Sequence, residues 1–164
     1  MTITVANLFE QEQMHANVIP LTASVTELGD LEDGSFDVVF SNSTIEHLFT
    51  WEAQREMATA VRRLAPAYFV QTPNFWFPVE PHFLTVGWHW LPRRVRIGLI
   101  KRRRFGHRGP CATDAEAREM VEEVRILRPS EMLELFPDCR LHRERIGPLT
   151  KSLVAIRAAP GRTD

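Results

Sequence analysis

Residues 36–70 constrain this chain more than any other stretch. Phe36-Asp-Val-Val-Phe40 is almost continuously apolar and follows a turn signal, Glu32-Asp33-Gly34-Ser35. A short apolar run without alternation is what a strand covered on both faces of a parallel sheet requires. Thr50 is placed to cap a helix in which Ala53, Met57, Ala60, Val61 and Leu64 recur at helical spacing, and Pro66 stops it. Ala67 to Val70 then reads as a second buried strand. The connection between the two strands is long enough for a right-handed crossover, so they are expected to be parallel neighbours.

The flanks extend this pattern. Ile3 to Leu8 and Val18 to Leu21 read as strands, with Pro20 implying an edge or irregular position. Thr113-Asp-Ala-Glu116 is a capping box, and the helix it opens carries Ala117, Met120, Val121, Val124 and Leu127 on one stripe. Ser130 is placed to cap a short helix through Leu135. Arg140 to Ile146 and Ser152 to Ile156 look like two closing strands. The expectation is an α/β, Rossmann-like sheet, mostly parallel with an antiparallel edge. It forms a single domain over 1–158, with 73–110 as an aromatic and basic lid and 159–164 as a disordered tail.

Composition excludes several classes. A net charge of −1 gives no global field for nucleic acid or membrane. No window is apolar for the roughly 18 residues of a membrane span, and the N-terminus lacks the pattern of a secretory signal. Cys111 and Cys139 fit no metal-ligand spacing, so no metal is expected, and they read as reduced thiols of a cytoplasmic protein.

In open α/β sheets ligands bind beyond the carboxyl ends of the strands. Here those positions are polar: Ser41-Asn42-Ser43-Thr44-Ile45-Glu46-His47 after one strand and Gln71-Thr72-Pro73-Asn74-Phe75-Trp76 after the next. The stretch from Asp33 to Asn42, closing on Ile45-Glu46-His47-Leu48, resembles the fourth-strand motif of class I S-adenosylmethionine-dependent methyltransferases of the broad type 11 group. Thr72-Pro73-Asn74 with Glu80-Pro81-His82 resembles the loop after that family's fifth strand, and Lys151 to Ala155 its last strand.

The resemblance implies S-adenosylmethionine as cofactor and methyl transfer to a small-molecule or lipid-linked acceptor. It makes Ser41 and Asn42 cofactor contacts and His47, with Glu46, the catalytic pair. Asn74, Trp76, Glu80, His82 and Trp88 become substrate candidates. Asn7 stands where the family has an acid for the ribose hydroxyls, and Ser24, with Glu27 nearby, where it has one for the adenine amine. The family's first strand and its glycine-rich loop have no counterpart. The chain reads as N-terminally truncated, beginning at the family's second strand. The gap left in the sheet is either repaired, or destabilising, or filled by a second chain, as in a homodimer.

The segment Arg93–Arg108 carries eight basic residues and no acid. Its Arg93, Arg94, Arg96, Lys101, Arg102, Arg103 and Arg104 alternate with apolar residues. A solvated helix is the plain explanation. An anionic membrane surface touched peripherally, or a phosphorylated or sugar-lipid acceptor, is the functional one; nucleic acid is disfavoured because no recognised module accompanies the patch. The alternative to an active enzyme is an impaired remnant of the scaffold, acting as a binding module through residues 93–108.

Overall fold

The computed structural model describes residues 1–13 and 15–159. In chain order it contains β1 (Ile3–Asn7), β2 (Val18–Thr22), β3 (Val38–Asn42), α1 (Trp51–Leu64), β4 (Ala67–Pro73), β5 (Val79–Glu80), β6 (Thr85–Val86), α2 (Arg93–Ile100), α3 (Asp114–Glu122), α4 (Pro129–Leu135), β7 (Arg140–Ile146) and β8 (Leu149–Arg157). Single helical turns lie at Ile45–His47 and Trp88–Trp90. The tail expected over 159–164 falls, from residue 160 on, outside the described residues.

The main sheet has the order β3-β4-β8-β7. β3 and β4 are parallel, as the crossover predicts, and β8 and β7 add the antiparallel edge. Thr50 Oγ1 accepts from Ala53 N at 3.1 Å to start α1. The helix buries Gln54, Met57, Ala58, Val61 and Leu64. This stripe meets Tyr68, Val70, Leu153 and Ala155 from the sheet, Met132 and Leu135 from α4, and Phe136 just after α4. The α3 capping box forms as expected, but the helix stops at Glu122, and Val124 and Leu127 continue the stripe in irregular chain. α4 starts at Pro129, not after Ser130. Proline is pre-set for the first helical position, and Glu131 reaches back to the Arg128 N–H at 2.7 Å.

β1 and β2 form a separate parallel pair, with Pro20 on the edge strand. Among the described residues no strand lies between that pair and β3, so the gap is not repaired by direct pairing. The polypeptide between them is instead tied to α1. Arg63 donates to the carbonyls of Leu31 and Leu28, and Gly34 N and Phe36 N donate to the carbonyls of Arg63 and Leu64.

The gap corrects one expectation. Val39 and Ser41 of β3 face the core, but Val38 is 57% and Phe40 69% exposed. β3 is not covered on both faces. It has one strand neighbour, and α1 and α4 both pack on the inward side, leaving Phe40 to stack only on Phe69 at 5.3 Å.

A second apolar cluster joins Phe83, Trp88, Ile100, Phe105, Cys111, Ala117 and Val121. It is built from the aromatic segment, α2 and α3, and it carries the β5–β6 hairpin to the crevice end of the main sheet.

Candidate active site

The chain turns polar where β3 leaves the core. Ser41 is buried and its Oγ has no hydrogen-bond partner. Ser43 takes a left-handed backbone, φ 52°, and its amide donates to the carbonyl and to Oε1 of Gln71, each at 3.1 Å. A non-glycine residue held in that region marks a constrained loop. The chain then makes the one-turn helix at Ile45–His47. Glu46 and His47 therefore sit ahead of α1 in a turn of their own.

Glu46 is fully buried. Its Oε2 accepts from Thr72 Oγ1 at 2.9 Å, while Oε1 has no partner. Burial pushes its carboxyl above the usual range, against the Thr72 hydrogen bond and the nearby His82. His47 is half-buried. Burial, and then His82, hold its pKa below the usual imidazole value, which keeps a neutral ring able to accept a proton.

The fold brings Glu80 and His82 to the same place from the β5–β6 hairpin. Glu80 is buried, Oε1 lies 2.6 Å from His82 Nδ1, and Oε2 accepts from Phe83 N at 2.6 Å. His82 Nε2 lies 3.2 Å from His47 Nε2, with the rings nearly perpendicular. Four residues from two chain segments thus form one cluster.

The remaining candidates divide. Asn74 is buried and uses both ends of its amide internally, donating to Thr150 O and accepting from Trp76 N, so it shapes the loop. Trp76 is 57% exposed and stands against Phe75. Trp88 is buried between Phe83 and Phe105. It also lines a cavity of about 150 Å³ shared with Phe75, Glu80, His89 and Arg96. Trp88 Nε1, His89 Nδ1 and Arg96 Nε there have no partners. Burial lowers the pKa of both His89 and Arg96.

Asn7 ends β1, and its Oδ1 accepts from Phe9 N at 3.4 Å. Ser24 lies two residues past β2, bonded to Thr26, while Glu27 and Asn42 are exposed. Asn7, Ser24 and Asn42 stand at or just past the carboxyl ends of the parallel strands, and among the described residues no hydrogen bond joins them or Glu27 to the Glu46 cluster.

Two residues were missed by sequence reasoning. Thr72 stands inside the quoted loop and is the only described partner of the Glu46 carboxylate. Gln54 lies on the apolar stripe of α1, three residues before Met57. A polar residue at such a position is the available signal that it bonds something buried. Its Nε2 donates to the carbonyls of Ile45 and Arg125, each at 2.9 Å, and its Oε1 accepts from Arg125 at 2.7 Å.

In the basic segment, Arg93 pairs with Glu122, Lys101 with Asp114 and Arg108 with Glu123. Arg94, Arg102, Arg103 and Arg104 are exposed and form no ion pair among the described residues. No described helix is long and apolar enough to cross a membrane.

Residues 2–68 match the family model of a methyltransferase domain. A search of curated proteins returns no match. Among solved structures, the chain is similar to an O-methyltransferase family protein from Burkholderia thailandensis, with 14% identity, a TM-score of 0.52, and 89% of this chain and 37% of that one covered. It is also similar to 1,6-didemethyltoxoflavin-N1-methyltransferase from the same organism, solved with 1,6-didemethyltoxoflavin and S-adenosylhomocysteine. That match has 14% identity and a TM-score of 0.52, and covers 95% and 60% of the two chains. The chain thus spans less than two thirds of either relative. The match covers the N-terminal part of the chain, and the likeness to the two solved methyltransferases is one of fold, with no strand described here between β1 and β3.

Proposed function

We propose that this chain takes part in methyl transfer from S-adenosylmethionine to a small-molecule or lipid-linked acceptor bound beside His47. The observation that carries the reading is the half-buried, neutral His47 ring at the carboxyl end of the parallel β3–β4 pair, next to the segment that matches the methyltransferase family. The cofactor supplies an electrophilic methyl on a sulfonium. His47 Nε2 accepts the proton lost by an O or N acceptor, and Glu80 orients His82 against it.

The fit to the cofactor is one-sided. The Asn7 amide, the Ser24 hydroxyl and the unpartnered Ser41 Oγ offer polar groups at the strand ends. Among the described residues no glycine-rich loop follows a strand to admit the methionine end. The cavity beside Glu80 and Arg96, with unpartnered donors at Trp88 and Arg96, suits an acceptor carrying carbonyl or acidic oxygens.

Calorimetric titration with S-adenosylmethionine tests this. Saturable binding, weakened in Asn7→Ala and Ser41→Val, is expected. In an assay with an acceptor, His47→Ala should slow transfer about 100-fold or more at unchanged cofactor affinity. A folded chain that takes up no cofactor at millimolar ligand would sink the catalytic reading and leave the binding-module alternative.

The exposed, unpaired Arg94, Arg102, Arg103 and Arg104 favour an anionic surface or a phosphorylated acceptor for either reading. In liposome flotation the chain should rise with vesicles containing anionic lipid and remain below with neutral ones. Equal recovery from both removes the surface contact.

A further inference from the structure

We propose that Glu46, His47 and His82 form a binding site for one divalent transition-metal ion of the zinc type. One donor atom from each residue lies within 4.8 Å of the others. Two imidazoles on one tetrahedral zinc, each bonded at about 2.0–2.1 Å, stand about 3.3 Å apart. The facing Nε2 atoms of His47 and His82 are 3.2 Å apart. A small inward movement of the Glu46 carboxylate completes three protein ligands. The fourth position is left for water or for an oxygen of the acceptor, as in sites that bind substrate.

Three independent features favour an ion. First, Glu46 Oε1 is buried and unpartnered, while Oε2 is held by Thr72. A buried carboxylate oxygen without a donor calls for a cation or a water. Second, Glu80 receives His82 Nδ1–H, which leaves the Nε2 lone pair of the neutral ring aimed at His47. A carboxylate behind a ligating histidine is the usual way such a ring is oriented and made more basic. Third, Glu46, Glu80 and Glu123 act electrostatically on these imidazoles or on each other, opposed by Arg108 and, at Glu80, also by Arg96. Three carboxylates against two guanidiniums leave a negative balance that a divalent ion offsets.

The rival arrangement is an imidazole–imidazole hydrogen bond with a proton between the two Nε2 atoms. It leaves Glu46 Oε1 unsatisfied.

The test uses the whole chain, freed of metal by chelator and titrated with zinc chloride by calorimetry, without cofactor or acceptor. One ion per chain is expected. Glu80→Gln should weaken binding about 10- to 100-fold, His47→Ala and His82→Ala should abolish it, and His107→Ala, an exposed histidine, should not change it. Long-range ¹H–¹⁵N correlation on the unmodified chain needs no variant: zinc should shift the ring nitrogens of His47 and His82 and not those of His107. No uptake, or zinc that moves other histidines while leaving these two unshifted, overturns the site. With the ion bound, the His47 Nε2 lone pair is used in ligation and cannot also accept the acceptor's proton, so the two roles exclude each other; the measurement is separate from methyl transfer, and its failure leaves His47 as the proton acceptor described above.

Discussion

Replacing Trp88 by alanine is expected to cost about 3–5 kcal/mol and to loosen the second apolar cluster before the main sheet. Trp88 is 1% exposed and stacks on Phe83 at 4.4 Å and Phe105 at 4.6 Å. Its removal takes the central ring from a cluster whose other rings, Phe83 and Phe105, both pack on it. The main sheet has its own core under α1 and α4, so it should survive. Phe83 N is bound to Glu80, and Glu80 holds His82, so the loss reaches the candidate site through one hydrogen bond. Amide exchange followed along the chain checks this: protection should fall over 80–121 and persist in α1, β4 and β8. The matched control is Trp76→Ala, at a ring 57% exposed, where the effect should stay within about 0.5 kcal/mol. Equal stability of the two variants would mean that the cluster does not depend on Trp88.

The second large effect is expected at Gln54. Gln54→Leu keeps the volume and the helix propensity but removes every polar bond of the side chain. The carbonyl of Arg125 loses its Nε2 donor, that of Ile45 keeps only Leu48 N at 3.3 Å, and the Arg125 guanidinium keeps only Glu131 as hydrogen-bond partner. Leaving a buried polar group unmatched costs about 1–3 kcal/mol, so a total of about 2–4 kcal/mol is expected in urea unfolding. Gln54→Glu should also destabilise, because the carboxylate can pair with Arg125 but offers no donor to the two carbonyls. The position matters for function because Ile45 and Arg125 bracket Glu46: Arg125 N donates to Glu46 O at 2.7 Å. A Leu variant within about 0.5 kcal/mol of the parent would show that water replaces the lost bonds.

Local signals carried much of the fold. Thr50, Pro66 and the Thr113–Glu116 box fixed helix ends because a cap is a bond between residues three apart. The strands β4 and β8 were legible from apolar runs, and β7 from its place before β8 as a closing strand. The segment 73–110 was not, since its Pro and aromatic residues have no period, and α2 within it draws its order from contacts with α3. At the site, Glu46 and His47 stood out through the motif that carries the family resemblance. The pairing of His47 with His82 across 35 residues could not be read, because no sequence spacing encodes where a hairpin folds back over a strand end.

The sequence by itself determined the strand–helix–strand unit and the antiparallel closing pair, since these depend on periodicity and caps within a few residues. Only the tertiary structure decided the fate of Val38 and Phe40. Their apolar character asks for cover, but cover comes from a neighbouring strand and a helix on that face, and here both are absent among the described residues. The tertiary structure also decided that Glu46, His47, Glu80 and His82 share one place. Their chemistry arises from distances of 2.6 and 3.2 Å between side chains on separate segments, set by the packing of the second cluster against the end of the sheet.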